Sequence, residues 1–346
     1  MRNFTLRNFL FGFFIIPVSL FGQQKAESVL YMEAIGNEFE AVSKNMMSYT
    51  SAAAHGKGAR KVEKKRQELL AQIKEAERNV RKMKPFQGDA TYRDTVVAYF
   101  NMSHTVLSED FGKIIDLEDV AEQSYDGMEA YLLAKELANE KLDNAYEKVS
   151  RQQKAFATTH NIRLLENTSK LNQKLATSSK VIKYYNEVYL IFFKSFKDEI
   201  YLMEALEKGD INAKEQTKNA LANSATAGLQ KLGPTPPFQG DASLKVACQQ
   251  MLNFYKQEAT VSAPLLIDFD LKKENFEKIK KAFDAKRSNE RTKADIDLYN
   301  NAAKEYNDAV NKVNAVSTEL NKKRSLALDN WNKTVDQFLH RHIPKY

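Results

Sequence analysis

The side chains able to do chemistry are few and scattered. Histidines stand at His55, His104, His160, His340 and His342, and the single thiol is Cys248. A zinc helix needs two histidines one turn apart with a glutamate beside the first, and no His-Glu-x-x-His occurs. A Gly-x-Ser-x-Gly nucleophile turn and a phosphate loop ending in Gly-Lys-Ser/Thr are also missing. His340 and His342 are two apart, so on a helix their rings diverge and read as a terminal pair rather than metal ligands. Carboxylates are plentiful: Glu33 and Glu40 flank Ile35 and Phe39, while Glu199 and Glu204 flank Tyr201-Leu202-Met203. A di-iron bundle would need Glu-x-x-His on two helices, and neither half of the chain carries that motif. These acids read as solvated helix surface, and Cys248, following Val246-Ala247, as a small core residue. The expectation is a chain with no catalytic residues, no metal site and no cofactor.

The sharper signal is a repeated turn. Pro85-Phe-Gln-Gly-Asp-Ala90 recurs as Pro237-Phe-Gln-Gly-Asp-Ala242, 152 positions on. Two readings of it stay open. Phe86 and Phe238 can fold back over the end of a bundle while Asp89 and Asp241 cap the next helix. Alternatively Phe86, Gln87, Asp89, Phe238, Gln239 and Asp241 form two like loops that present an apolar ring and polar groups to a partner, since an exposed ring is costly unless it binds something.

Charge is unevenly placed. Residues 57–84 hold 11 basic and four acidic side chains, so the basic character of the chain is concentrated in one helix that the second copy does not match. Lys61, Lys64, Lys65 and Arg66 are its basic-surface candidates, suited to an anionic envelope polymer or lipid head group. No aromatic residue in that stretch could stack on bases, which argues against nucleic acid.

Helices must position these groups. Met32, Ile35, Phe39, Val42, Met46 and Tyr49 step by three and four, and so do Tyr299, Ala302, Tyr306, Ala309, Val313, Val316 and Leu320. Ala138, Leu142, Ala145, Val149 and Phe156 follow a similar seam. Such spacing lays side chains along one stripe that has to be covered by another helix. Lys141–Val149 also resembles Glu305–Val313, at a separation of 164. Gly56–Gly58 and Gly209-Asp210 separate the first helix of each copy from the second, and Pro85 and Gly233-Pro-Thr-Pro-Pro237 stop the second helices. Short connections imply antiparallel neighbours.

The composition agrees. Among 346 residues, 43% are hydrophobic and 28% charged, with only 12 Gly and 7 Pro. That excludes collagen, a disulfide scaffold and a mostly disordered chain, and it provides too few turn residues for a β-sandwich or a doubly wound α/β enzyme. The helix–Pro-Phe-Gln-Gly-Asp–helix pattern resembles an uncharacterised family of secreted, all-helical bacterial surface proteins. The resemblance implies export and architecture and carries over no functional residue. At the N-terminus, Arg2 and Arg7 precede the 14-residue run Phe9–Gly22, which is too short to span a membrane and reads as a secretory signal peptide cleaved after Gly22.

The sequence thus predicts an all-α chain: a signal peptide over 1–22, then two tandem antiparallel helical-bundle repeats, 23–160 and 161–346. A long helix joins them in an elongated, coiled-coil-like arrangement. The functional expectation is a non-enzymatic exported protein of the periplasm or cell surface, an adaptor or structural interaction module with an envelope protein or anionic polymer as partner. It has no transmembrane anchor in the mature chain. The alternative is a small-ligand-binding helical bundle with its ligand near the aromatic-rich residues 184–203.

Overall fold

The computed structural model describes residues 26–55, 58–110, 118–164, 169–208 and 210–346, and the stretch 1–22, expected to be a signal peptide, lies outside them. The fold is all-α, with no strand among the described residues. In chain order the helices are α1 (Glu27–Ala54), α2 (Ala59–Lys82), α3 (Thr91–Thr105), α4 (Glu118–Ala121) and α5 (Tyr125–Thr159). Then follow α6 (Lys170–Lys208), α7 (Ile211–Leu232), α8 (Ser243–Gln257), α9 (Ala263–Asp284) and α10 (Lys293–His342). Short π-helical segments, Val106–Asp110 and Glu258–Ser262, continue α3 and α8. The chain forms two compact units. One runs to Asn186 and takes in Asp336–Tyr346, and the other holds Glu187–Val335.

In the first unit the α1 stripe is buried along its whole predicted length, from Met32 through Phe39 and Met46 to Tyr49. α2 packs between α1 and α3, and α3 packs on α5. Phe39 closes the bundle. Its ring lies 4.7 Å from Phe100 and 5.5 Å from Tyr99 on α3, and 6.3 Å from Tyr146 on α5. On α5 the buried seam passes through Tyr146 rather than Ala145, because the larger ring reaches Phe39 and Tyr99.

In the second unit Phe192 plays the same part. It stacks 4.4 Å from Trp331 on α10 and 6.5 Å from Tyr255 on α8. The stripe at the start of α10 stacks on α9. Phe276 stacks on Tyr306 at 5.1 Å and Phe283 on Tyr299 at 4.6 Å, while Ala302 and Ala309 are buried. Tyr299, Tyr306, Val313 and Val316 stay half-exposed.

The duplication is structural and extends well beyond the six repeated residues. At the 152-residue spacing, α2 and α7 begin at Ala59 and Ile211, α3 and α8 at Thr91 and Ser243, and the π-helical segments at Val106 and Glu258. The Glu63–Arg66 ion pair recurs as Glu215–Lys218. α1 and α6 correspond at 153 instead, with Ile35, Phe39, Met46 and Tyr49 matched by Val188, Phe192, Glu199 and Leu202, all buried. Copy two is therefore one residue shorter between its first two helices. In the last helices, the Phe156–His160 ring contact recurs as Phe338–His342, 182 positions on. The 164-residue similarity of Lys141–Val149 to Glu305–Val313 does not mark equivalent ring contacts.

The repeated turn is a clip. Phe86 and Asp89 exchange both backbone hydrogen bonds, at 2.9 and 3.0 Å, as do Phe238 and Asp241 at 3.0 and 2.8 Å. The two central residues have positive φ, 49° at Gln87 and Gln239 and 88° at Gly88 and Gly240. That is the signature of a type I′ turn, and glycine at its second position avoids a Cβ clash with the backbone. Asp89 and Asp241 each accept the N–H of the next helix's first residue, Thr91 and Ser243, at 2.8 Å. One turn on, Arg93 donates to the carbonyl of Met83 at 2.8 Å, and its counterpart Lys245 to that of Thr235 at 2.7 Å. Each clip thus ties the end of one helix to the start of the next. The Phe86 ring is half-buried against Tyr31, His160 and Phe156, 5.3, 4.8 and 5.4 Å away. Replacing it should therefore cost stability: Phe86→Ala is expected to lower the unfolding free energy by about 2–3 kcal/mol. Gly88→Ala, forcing a Cβ onto a positive φ, should cost about 1–2 kcal/mol. Urea denaturation measures both, and a loss under about 1 kcal/mol for Phe86→Ala would free the ring for a binding role.

Candidate functional site

The residues singled out in the sequence do not converge. Phe86 and Phe238 pack inward, Phe238 being 8% exposed, while Gln87 and Gln239 face solvent. The hydrogen bonds that Asp89 accepts from Thr91 lower its carboxyl from the usual range. On α2, Arg66 pairs with Glu63 at 2.8 Å and also donates to the carbonyl of Leu107. Lys65 pairs with Glu68 at 2.6 Å with Lys64 4.0 Å from the same acid, and Lys61 is exposed. Local pairs thus hold Lys65 and Arg66, while Lys61 faces solvent. His340 packs on His55, 4.6 Å between ring centres, and His342 on Phe338. Among the described residues no group of three or more His, Cys, Asp or Glu is placed to hold a metal ion. Cys248 is fully buried, its Sγ donates to the carbonyl of Val188, and burial pushes the thiol up to about 12, which makes it inert at neutral pH.

Three charged side chains meet in a buried cluster, and one of them, Glu199, is expected from its spacing to be solvated surface. Glu199 is 3% exposed and Glu258 2% exposed. Arg324 on α10 bridges them, with Nε donating to Glu199 and Nη2 to Glu258. Glu199 is not a solvated acid, because the α6 seam through Val188, Phe192, Ser195 and Leu202 turns it inward. Glu258 opens the π-helical segment after α8, where the ladder widens to accommodate an extra residue, a feature frequent at functional sites.

Two carboxylates and one guanidinium leave the cluster one negative charge in excess. Burial, then the neighbouring Glu199 charge, push Glu258 up to about 7 against the opposing pull of Arg324. Burial also raises Glu199, which Arg324 partly offsets. Glu258 Oε2 is buried with no hydrogen-bond partner among the described residues, and so is the Tyr255 hydroxyl one turn before it. Burial and the two acids together raise that hydroxyl well above its ordinary range.

Above this cluster lies a cleft of about 320 Å³. Phe254, Glu258, Val261 and Leu265 line one wall, and Val316 and Leu320 of α10 the other. Glu319 and Lys323 lie on its α10 side and pair with each other at 3.4 Å. Val261 and Leu265 are 54% and 38% exposed, large apolar side chains left facing water at its mouth. The first unit has no such cluster at the corresponding positions: Met46 stands where Glu199 does and Val106 where Glu258 does, both fully buried.

Comparison with known proteins gives no further guide to this site, since no family model, curated protein or solved structure matches the chain.

The cluster fixes an unusual pH dependence. A carboxyl raised to about 7 in the fold but ordinary in the unfolded chain holds its proton longer when folded, so its contribution to stability falls as pH rises from about 4.5 to about 7. Glu258→Gln removes the ionisation and leaves a one-to-one Arg324–Glu199 pair. Melting curves should show the variant more stable than wild type by about 1–3 kcal/mol at pH 8 and equal to it at pH 5. Arg324→Met, which strands two acids, should instead cost about 3–5 kcal/mol at pH 8 and less at pH 5. A Glu258→Gln effect independent of pH would show that the carboxyl titrates as an ordinary surface acid.

Proposed function

We propose that this chain is an exported, non-enzymatic helical module that binds a small ligand through the acid-floored cleft of its second unit. The observation that carries the reading is the contrast between equivalent positions. Where the first unit fills its core with Met46 and Val106, the second buries Glu199 and Glu258 around Arg324 beneath an open apolar cleft. A buried ion cluster is often less stabilising than apolar residues of similar size, so stability alone does not account for it. A pocket with apolar walls and a few converging polar groups is the usual form of a small-molecule site. Export rests on the basic and apolar pattern of residues 2–22. No helix among the described residues is long and apolar enough to cross a membrane, which agrees with a mature chain lacking a transmembrane anchor.

The adaptor reading has an observation of its own. Leu271 of α9 and Ile296 and Leu298 of α10 are 48%, 43% and 55% exposed, apolar side chains suited to a protein contact. They lie outside the cleft, so the two activities are separable by mutation.

Ser262 lines the cleft, and Ser262→Trp would fill it. Native mass spectrometry of protein isolated from the envelope fraction of its own cells should show a bound small molecule on the wild type that is missing from Ser262→Trp. Both should have the mass of a chain lacking residues 1–22. A wild type with no bound species, or equal occupancy in the two proteins, would overturn the cleft as the binding element.

A further inference from the structure

The outward face of α2 carries a row of cations that packing does not require. At about 100° per residue, Arg60, Lys64, Lys74, Arg78 and Lys82 fall within a sector of about 80°, opposite the side that buries Leu69, Ile73, Ala76 and Val80. All five are exposed, and among the described residues only Lys64 has an ion pair, at 4.0 Å from Glu68. Lys61, Lys65 and Arg66 lie beside the row rather than in it. Glu63, Glu68 and Glu77 are held by Arg66, Lys65 and Arg81, so Glu75 is the one α2 acid without a cation of its own among the described residues. Between Lys64 and Lys74 the row runs through Gln67 and Ala71, both exposed and uncharged.

The second copy shows that the fold does not ask for this charge. α7 takes the place of α2 there, and at the 152-residue spacing Asn212, Gln216, Thr226 and Gln230 stand where Arg60, Lys64, Lys74 and Arg78 do. Neutral polar side chains keep that helix face in water equally well. Like charges four residues apart, as at Lys74, Arg78 and Lys82, repel one another and cost helix stability. An anion laid along the row would relieve that repulsion.

The spacing narrows the kind of anion. From Arg60 to Lys82 the helix rises about 33 Å, so the five cations stand roughly 8 Å apart on average. A nucleic acid duplex carries a charge about every 1.7 Å, several times denser than the row, and α2 has no aromatic residue to stack on bases. A bilayer fits poorly as well. The row offers no ring or aliphatic side chain to enter one, because the apolar side of α2 is spent on the bundle. A flat anionic surface would also meet the acids that flank the row. Glu38 of α1 accepts from Asn79 at 2.9 Å, and Glu109, just beyond α3, acts with Lys74 on the charge of His104.

We infer that the row is a docking line for an extended acidic polysaccharide, a uronic-acid chain whose carboxylates lie one by one against Arg60, Lys64, Lys74, Arg78 and Lys82. A single chain following α2 meets the cations and passes between the flanking acids. The line belongs to the first unit and is independent of the cleft in the second.

Fluorescence anisotropy of the full mature chain with labelled polygalacturonate tests this, with neutral dextran and vesicles of mixed phosphatidylglycerol and phosphatidylcholine as the other arms. Polygalacturonate should bind, and its affinity should fall about ten- to a hundredfold between 50 and 200 mM salt as counterions compete for the row. Dextran should not bind. Replacing the row by neutral residues (Arg60→Asn, Lys64→Gln, Lys74→Thr, Arg78→Gln and Lys82→Gln together) should lower the affinity at least about tenfold and flatten its salt dependence, with the melting curve unchanged. Changing five exposed lysines of the second unit, Lys273, Lys278, Lys280, Lys281 and Lys322, to Gln removes the same charge and should leave binding as it was. Equal losses in the two variants would assign the effect to net charge and overturn the docking line. Vesicles bound as tightly as polygalacturonate, and released by the row variant, would replace the polysaccharide by a lipid surface. Polygalacturonate left unbound, or bound undiminished by the row variant, would overturn the inference outright.

Discussion

Everything in this fold follows from apolar stripes that only another helix can cover. A stripe spaced by three and four residues presents a continuous apolar seam, and the chain has too few glycines and prolines to build anything but long helices around it. The consequence differs along the chain according to how many partners the stripe finds. The α1 stripe meets α2, α3 and α5 and is buried, whereas the stripe at the start of α10 stacks on α9 and buries little more than its alanines. Large rings then do what additional helices do elsewhere. Phe276 and Tyr306 lie nearly parallel, 8° apart, and with Phe269, Phe283 and Tyr299 they fill the space between two helices. The clips at Phe86–Asp89 and Phe238–Asp241 set where successive stripes meet, since a two-residue turn leaves the following helix almost no freedom of entry.

The helices, the repeat and the capping aspartates were legible because each depends on residues close in sequence. Spacing marks a stripe within about a dozen residues, and a six-residue identity marks the turn. The type I′ geometry was also implicit in Gln-Gly between residues that must pair, although the reading went only as far as the cap. The Arg93 and Lys245 grips were not read, because a cation ten or so residues from a carbonyl carries no signature until the turn is closed. The α10 stripe was legible as a stripe, but its half-exposure was not, because spacing says which side is apolar and nothing about how many neighbours arrive to cover it.

The charged cluster was missed for a related reason. Glu199, Glu258 and Arg324 are separated by dozens of residues, and each alone looks like ordinary helix surface. A signal for one of them was nevertheless present. Val188, Phe192, Ser195 and Leu202 step by four, three and seven, and Glu199 falls on the same seam, where a solvated acid cannot sit. The duplication offered a second route. Copying the α1 seam onto α6 through the matched phenylalanines, Phe39 and Phe192, places Glu199 on fully buried Met46. An acid at a position whose counterpart is apolar core must either pair or titrate.

That contrast also separates architecture from activity in this molecule. Both copies keep the elements that set geometry: the clip, the aromatic hub, the ion pair on the second helix and the π-helical segment at the same distance from the turn. They differ where packing would tolerate either solution. A methionine and a valine close the core of one copy, and two acids sharing one arginine leave the other with an unpartnered oxygen beside a cleft. The rigid part of the design is what makes such a charge tolerable, because a helix pinned at its start by a clip cannot easily slide to expose its buried acid. A bundle held only by its stripes could shift by a turn and hydrate Glu258, which would return the carboxyl to its ordinary range and erase the excess charge. The clip therefore does more than connect helices: it fixes the start of α8, the helix whose far end carries the buried Glu258.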